Sequence, residues 1–166
     1  IVLGLIWSIV KISAPNKPVF FQQERVGFGG HAFLMWKVRT MDKIDYSTQK
    51  NAGHDVRVTR IGKILRSCHI DELIQLANIA NGTMSFVGPR PTIPTVATDA
   101  ERRVRSYYRR YEVLPGLTGL KQVFGRCSIR QEHIYDRLLL RRIHNLRFRG
   151  WILYRTALHM IRLGGE

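Results

Sequence analysis

Ile70-Asp71-Glu72-Leu73-Ile74-Gln75-Leu76-Ala77-Asn78-Ile79-Ala80-Asn81-Gly82 is the run whose reading decides the fold. Ile70, Leu73, Ile74 and Ala77 recur at helical spacing and form one apolar stripe. Gly82 stands where a left-handed residue commonly ends a helix. The run predicts a short helix, half-buried, with two adjacent acids in its early turns. If that helix starts near Ser67, its dipole favours ionised carboxylates at Asp71 and Glu72. Asp71 sits beside the stripe and borders a core. Glu72 points elsewhere, so the pair diverges unless the backbone bends. Two readings stand at this point: acids that complement a dipole, or a carboxylate pair that does chemistry.

The flanks bear on that choice. Ile61, Ile64 and Leu65 predict a preceding short helix, and Arg66 on it lies five residues before Asp71. Downstream, Gly88-Pro89-Arg90-Pro91 locks the backbone on both sides of one arginine. A guanidinium held in that way loses less entropy on gripping an anion. Leu114-Pro115-Gly116-Leu117-Thr118-Gly119 adds turn chemistry and backbone amides, and Gly125-Arg126 adds another cation. Two acids among such arginines suit a phosphate ester: one acid to attack, one to move a proton, guanidiniums to hold the anion.

The remaining chain reads as α+β, helix-dominated, with a β-hairpin near the front. Pro18 to Glu24 and Phe33 to Arg39 are strand-like, and Gly27-Phe28-Gly29-Gly30 between them is a hairpin signal. On the second strand Leu34, Trp36 and Val38 alternate with Phe33, Met35 and Lys37. Asp42 to Val56 is polar without period and reads as a mobile loop. Asp99 to Tyr111 predicts a basic helix. Leu117 to Arg126 predicts an extended, glycine-punctuated loop. Glu132 to Leu163 predicts one or two helices.

Composition narrows the class of partner. The 166 residues fit one domain with a real core. They carry 27 Lys and Arg against 12 Asp and Glu, a net +15. Residues 101–166 hold 15 basic and 5 acidic residues, hence +10 of that excess. Such a surface attracts nucleic acid, anionic headgroups or phosphorylated small molecules. Cys68 and Cys127 make no disulfide framework and point to free thiols in a reducing compartment. Cys68-His69 is a poor nucleophile–base pair, because neighbours on a helix point about 100° apart. No Cys and His spacing suits a metal.

The first ten residues, Ile1 to Val10, are apolar almost throughout and meet Lys11. They are too few for a bilayer-spanning helix, which needs ~20. A buried core helix and part of a membrane-dipping segment fit them equally.

The chain resembles the bacterial sugar transferase family, the monotopic phosphoglycosyl transferases. The matching motifs run in order. They are Pro18-Val19-Phe20-Phe21-Gln22-Gln23-Glu24-Arg25-Val26-Gly27, Trp36-Lys37-Val38-Arg39-Thr40-Met41, Arg57-Val58-Thr59-Arg60-Ile61-Gly62, Ile70-Asp71-Glu72-Leu73-Ile74-Gln75-Leu76, Met84-Ser85-Phe86-Val87-Gly88-Pro89-Arg90-Pro91 and Leu114-Pro115-Gly116-Leu117-Thr118-Gly119. Each alone is weak, whereas the set is highly specific. The resemblance implies transfer of a sugar phosphate from a UDP-sugar to a polyprenyl (undecaprenyl) phosphate, with release of UMP. It implies Asp71 as the nucleophile and a Mg²⁺ contact, Glu72 as its catalytic partner, Arg66 and Arg90 on phosphate, and Arg126 toward nucleotide. It also implies that residues 1–14 are the second half of a re-entrant membrane helix. Residues 15–166 would then be the catalytic domain, with basic C-terminal helices on anionic inner-membrane lipids at the cytoplasmic face, and no nucleic acid. Thr83, Lys121, Cys127, Leu139 and Arg149 depart from the family pattern, while Asp136 keeps a family acid. A catalytically inactive membrane scaffold and a basic nucleic-acid-binding module are the competing classes.

Overall fold

The computed structural model describes residues 2–13, 16–41, 58–67, 70–125 and 127–163. The expected loop from Asp42 to Val56, the Cys68-His69 pair and Arg126 lie outside the described residues. The architecture is α+β, as the patterning predicts. The chain divides into two compact units, one of residues 1–21 and 37–74, the other of residues 22–36 and 75–166.

The first unit begins with helix α1, Val2–Ser13. Strand β1, Phe20–Val26, pairs with β2, Ala32–Val38, and both strands run from one unit into the other. Their connection, Gly27 to His31, is far too short for a parallel crossover, so they form the expected hairpin. Its turn holds a 3-10 helix, Phe28–Gly30, with Gly29 at φ 66° and Gly30 at φ 79°. Helix α2 covers Arg60–Ser67. Val10, Val19, Val38 and Leu65 are buried together, with Phe20, Ile61, Ile70 and Ile74 packed against them. Val10 thus ties α1 into this core, while Trp7 and Ile12 on the same helix are exposed.

The alternation on β2 proves less simple than its sequence. Met35 and Val38 are buried and Leu34 is 53 % exposed. Trp36 and Lys37 are both half-buried, because the strand is covered on both faces at that end.

The predicted Ile70–Gly82 helix is two pieces. A 3-10 helix, Ile70–Gln75, is followed by α3, Leu76–Ala80, and Gly82 turns the chain out at φ 78°. The acids therefore lie in a tighter 3-10 turn that starts after α2 has ended.

In the second unit, β3, Ser85–Val87, pairs in parallel with β4, Gly116–Thr118, Ser85 opposite Gly116 and Val87 opposite Thr118. Between them run α4, Pro94–Arg103, and a 3-10 helix, Tyr107–Glu112. The single basic helix expected over Asp99 to Tyr111 is thus broken at Val104, whose backbone is extended. The expected loop after Leu117 is instead β4 followed by α5, Leu120–Phe124. Two helices close the unit, α6, Ile129–Arg142, and α7, Leu146–Leu163. Ser128 and Gln131 form a capping box at the start of α6. Val87, Leu120, Val123, Leu139 and Ile152 make the core. Leu139, one of the expected departures from the family pattern, is 1 % exposed at its centre. No described helix is long and apolar enough to cross a membrane.

Candidate active site

The carboxylate pair is built by local chemistry in the first unit. Thr59 caps α2: its Oγ1 accepts the Gly62 amide at 2.8 Å. The Thr59 amide in turn donates to the Thr40 carbonyl at 3.1 Å. Gly62 has no Cβ where one would run into the Thr40 carbonyl, so α2 lies hard against the end of β2. That contact aims the far end of α2. Arg66 Nε donates to Thr40 Oγ1 at 2.9 Å, and its charge acts on Asp71 in the next turn.

Asp71 and Glu72 are both half-buried. The Asp71 carboxyl is held above its ordinary value near 3.8, first by burial and then by the neighbouring charge of Glu72. Arg66, Lys37 and its own backbone amide pull the other way. The dipole expectation is corrected here: a six-residue 3-10 turn gives little dipole, and burial dominates. The site therefore places the Asp71 carboxyl within the field of one acid, Glu72, and two cations, Arg66 and Lys37. Lys37 was read from sequence only as one position of an alternating strand. Its half-buried place at the end of β2 was the signal for a role.

The donor set suits Mg²⁺. No cluster of three or more His, Cys, Asp or Glu occurs among the described residues. Mg²⁺ is a hard cation that takes one or two carboxylates together with waters and substrate phosphates. Asp71, the carboxylate that the resemblance assigns to the ion, offers one such ligand.

Arg90 belongs to the second unit, on a turn captured through its main chain. The Gly116 amide donates to the Pro89 carbonyl at 2.9 Å. Arg110 Nη2 donates to the Arg90 carbonyl at 2.6 Å. Arg25 Nη1 donates to the Pro91 carbonyl at 3.2 Å. The Val26 amide then takes the Thr92 carbonyl at 2.8 Å. Prolines cannot donate, so acceptance at successive carbonyls is what fixes this segment.

Arg110, 3 % exposed, is the hub of a buried charge group. Its Nη1 donates to Glu132 Oε1 at 3.0 Å and to the Tyr107 hydroxyl. Its Nε lies 3.4 Å from Asp136 Oδ2, an ion-pair distance without hydrogen-bond geometry. Lys121, one of the departures from the family pattern, lies 2.5 Å from Glu132 Oε2 and brings the group to two cations and two acids. Burial pushes Asp136 up to about 6 against the pull of Arg110. Thr83, another departure, is structural: its hydroxyl accepts from Asn78 Nδ2 at 3.0 Å and donates to Asn81 Oδ1 at 2.7 Å. Asn78 also holds β2, accepting the Trp36 amide and donating to the Leu34 carbonyl. The sequence does not disclose the roles of Arg25, Arg110 and Glu132; Arg25 shows only as a position in the Pro18-to-Gly27 motif, and Arg110 only as a cation shortly before Leu114-Pro115-Gly116.

A model of the bacterial sugar transferase family matches residues 1–163. The chain belongs to that family. Among its relatives is a UDP-glucose:undecaprenyl-phosphate glucose-1-phosphate transferase of Xanthomonas campestris pv. campestris. It is 44 % identical over 119 residues, 70 % of this chain and 24 % of that protein. A Caulobacter vibrioides protein of the same name is 46 % identical over 120 residues, 70 % of this chain and 44 % of its own length. A UDP-N-acetylgalactosamine-undecaprenyl-phosphate N-acetylgalactosaminephosphotransferase of Aeromonas hydrophila is 39 % identical over 117 residues, 69 % of this chain and 27 % of that protein. The chain thus spans less than half the length of these three sugar transferases.

Proposed function

We propose that this chain carries the catalytic machinery of a phosphoglycosyl transferase acting between a UDP-sugar and a polyprenyl phosphate. The observation that carries the reading is the Asp71 carboxylate: half-buried, within the field of Glu72, and flanked by Arg66 and Lys37. An under-solvated carboxylate next to two cations is suited to attack an anionic phosphoryl group that those cations bind.

In the first step an Asp71 oxygen attacks the phosphorus bonded to the sugar. The bond from that phosphorus to the bridging oxygen breaks, and UMP leaves with the electron pair. Asp71 then carries the phosphosugar as a mixed anhydride. In the second step an oxygen of the polyprenyl phosphate attacks the same phosphorus. Its proton passes to Glu72, the Asp71–phosphorus bond breaks, and a polyprenyl diphosphate sugar departs. Arg66 and Lys37 offset the negative charge in both steps, while Arg90, on its own fixed turn in the second unit, is a proposed phosphate contact in its own right. Asp71 would hold Mg²⁺, which would supply positive charge to offset the repulsion between carboxylate and phosphate.

A lipid-linked acceptor requires a membrane surface, and the reading extends to a monotopic protein on the cytoplasmic face of a bacterial inner membrane. Two features support it. Helix α1 exposes Trp7 and Ile12. Helix α7 exposes Leu146, Trp151, Leu153 and Tyr154 among Arg147 and Arg155, a composition suited to a headgroup interface. Relatives that name either glucose or N-acetylgalactosamine leave the sugar and the glycan pathway open.

The test is UMP release from a panel of UDP-sugars with polyprenyl phosphate and Mg²⁺, paired with mass spectrometry of the protein after exposure to UDP-sugar alone. Asp71→Asn should abolish turnover, and the wild type should carry a sugar-phosphate on the peptide that contains Asp71. An adduct on any other residue, or turnover that survives Asp71→Asn, overturns the reading.

A further inference from the structure

Arg105, Arg109 and Arg137 line one cavity in the second unit, together with Ser106 and Tyr108. Its volume is about 360 Å³, at the small end of the ~300–1,000 Å³ typical of ligand sites. No acidic residue lines it. All three arginines are exposed. None of them forms an ion pair with a carboxylate among the described residues. The acids nearest in sequence to Arg137, Glu132 and Asp136, are committed to Arg110 and Lys121. Three guanidiniums therefore converge with their positive field unquenched.

The walls are also fixed in place. Arg105 and Arg109 come from the 3-10 helix Tyr107–Glu112 and the residues before it, and Arg137 comes from α6. The buried Arg110–Glu132–Asp136 group bolts these two elements together. Ser106 Oγ lies 3.0 Å from His133 Nε2, a second tie one helical turn before Arg137. The His133 imidazole is held below its ordinary value by burial, and then by Arg137, Arg110 and Arg109, which independently marks the spot as strongly positive. Backbone elements tied in this way hold the roots of the three arginines at fixed separations, which lowers the entropy lost when they close around an anion.

We propose that this cavity binds a phosphate group, in addition to any phosphate held near Asp71. Three planar guanidiniums around one cavity can each donate to a phosphate oxygen, and the Ser106 hydroxyl can donate a further hydrogen bond. A mono- or diester of phosphate fits, whether carried by a soluble nucleotide or by a lipid headgroup. The site is independent of the sugar-transfer chemistry, and its test reads binding rather than turnover.

The full chain is compared with two charge-matched variants. One removes the cavity arginines, Arg105→Gln/Arg109→Gln/Arg137→Gln. The other removes exposed arginines elsewhere, Arg102→Gln/Arg130→Gln/Arg141→Gln. Calorimetric titration with UMP and with pyrophosphate forms one arm. Co-sedimentation with phosphatidylglycerol vesicles, against phosphatidylcholine vesicles, forms the other. The cavity variant should lose about tenfold or more in one arm, and the control variant no more than about threefold. Loss confined to the soluble anions identifies a nucleotide-type ligand, and loss confined to the vesicles a lipid phosphate. Should the triple change unfold the chain, Arg137→Gln alone, on an exposed position, should still lose about threefold relative to Arg141→Gln. Equal losses in the cavity and control variants, or no binding of either ligand class by the wild type, overturn the proposal.

Discussion

The Arg110 guanidinium reaches the main-chain carbonyl of Arg90 at 2.6 Å, so one buried cation holds the turn that presents another. Arg110→Lys keeps the charge between Glu132 and Asp136 but gives up the fork that reaches Arg90. We expect a folded protein whose UMP release falls about tenfold, the worth of one charge-assisted hydrogen bond. Arg110→Ala is different in kind. It strands two buried carboxylates, a loss of about 3–5 kcal/mol, and should appear in thermal denaturation as a large drop in Tm.

The two cations beside Asp71 set its titration. Lys37→Met removes one group that holds the carboxyl down, so its pKa rises further. The acidic limb of the pH–rate profile for UMP release should move to higher pH, with roughly a tenfold loss of rate. Glu72→Gln removes a group that holds it up, and the limb of its residual rate should move to lower pH. A profile unmoved by both changes would place Asp71 outside the rate-determining chemistry.

Asp136 gives a stability signature. Its folded-state value of about 6 lies above the ordinary 3.8, so the folded chain binds its proton more tightly than the unfolded chain does. Its contribution is therefore fullest below 3.8 and is lost as pH rises through about 6. His133, held low, works in the opposite sense: its contribution is present above its ordinary value near 6.5 and falls as pH drops below that. Denaturant titrations of wild type and Asp136→Asn from pH 4 to 7 separate the two. The difference between the proteins should drift in favour of the variant as pH rises, since only Asp136 differs.

Gly88→Ala tests the close approach of the parallel pair. A Cβ there would strike the Leu114 carbonyl and press on the Gly116 amide, both backbone atoms that cannot rotate away. We expect about 1–3 kcal/mol of destabilisation, measured by denaturant melting. Thr59→Ala, which removes the α2 cap, should cost about 1 kcal/mol.

The hairpin, the two C-terminal helices and the acid pair were legible because each rests on local signals. Glycines between β-rich runs make a turn, and recurring apolar residues mark the buried face of a helix. What sequence did not disclose was where 3-10 turns replace α-helix. Ile70–Gln75 carries a helical stripe, yet the chain restarts after α2 and tightens around the acids. Asp99 to Tyr111 is uniformly basic, yet extended backbone at Val104 splits it. Lys37, Arg25 and Arg110 escaped notice because their roles come from tertiary neighbours 34, 66 and 20 positions away, Asp71, Pro91 and Arg90, which no periodicity encodes.

The Pro89-Arg90-Pro91 turn is gripped through its carbonyl oxygens by Gly116, Arg110 and Arg25. Those grips are blind to whatever side chain stands between the prolines. Position 90 is thus a socket: three grips on the main chain set its shape, and the side chain alone sets its chemistry.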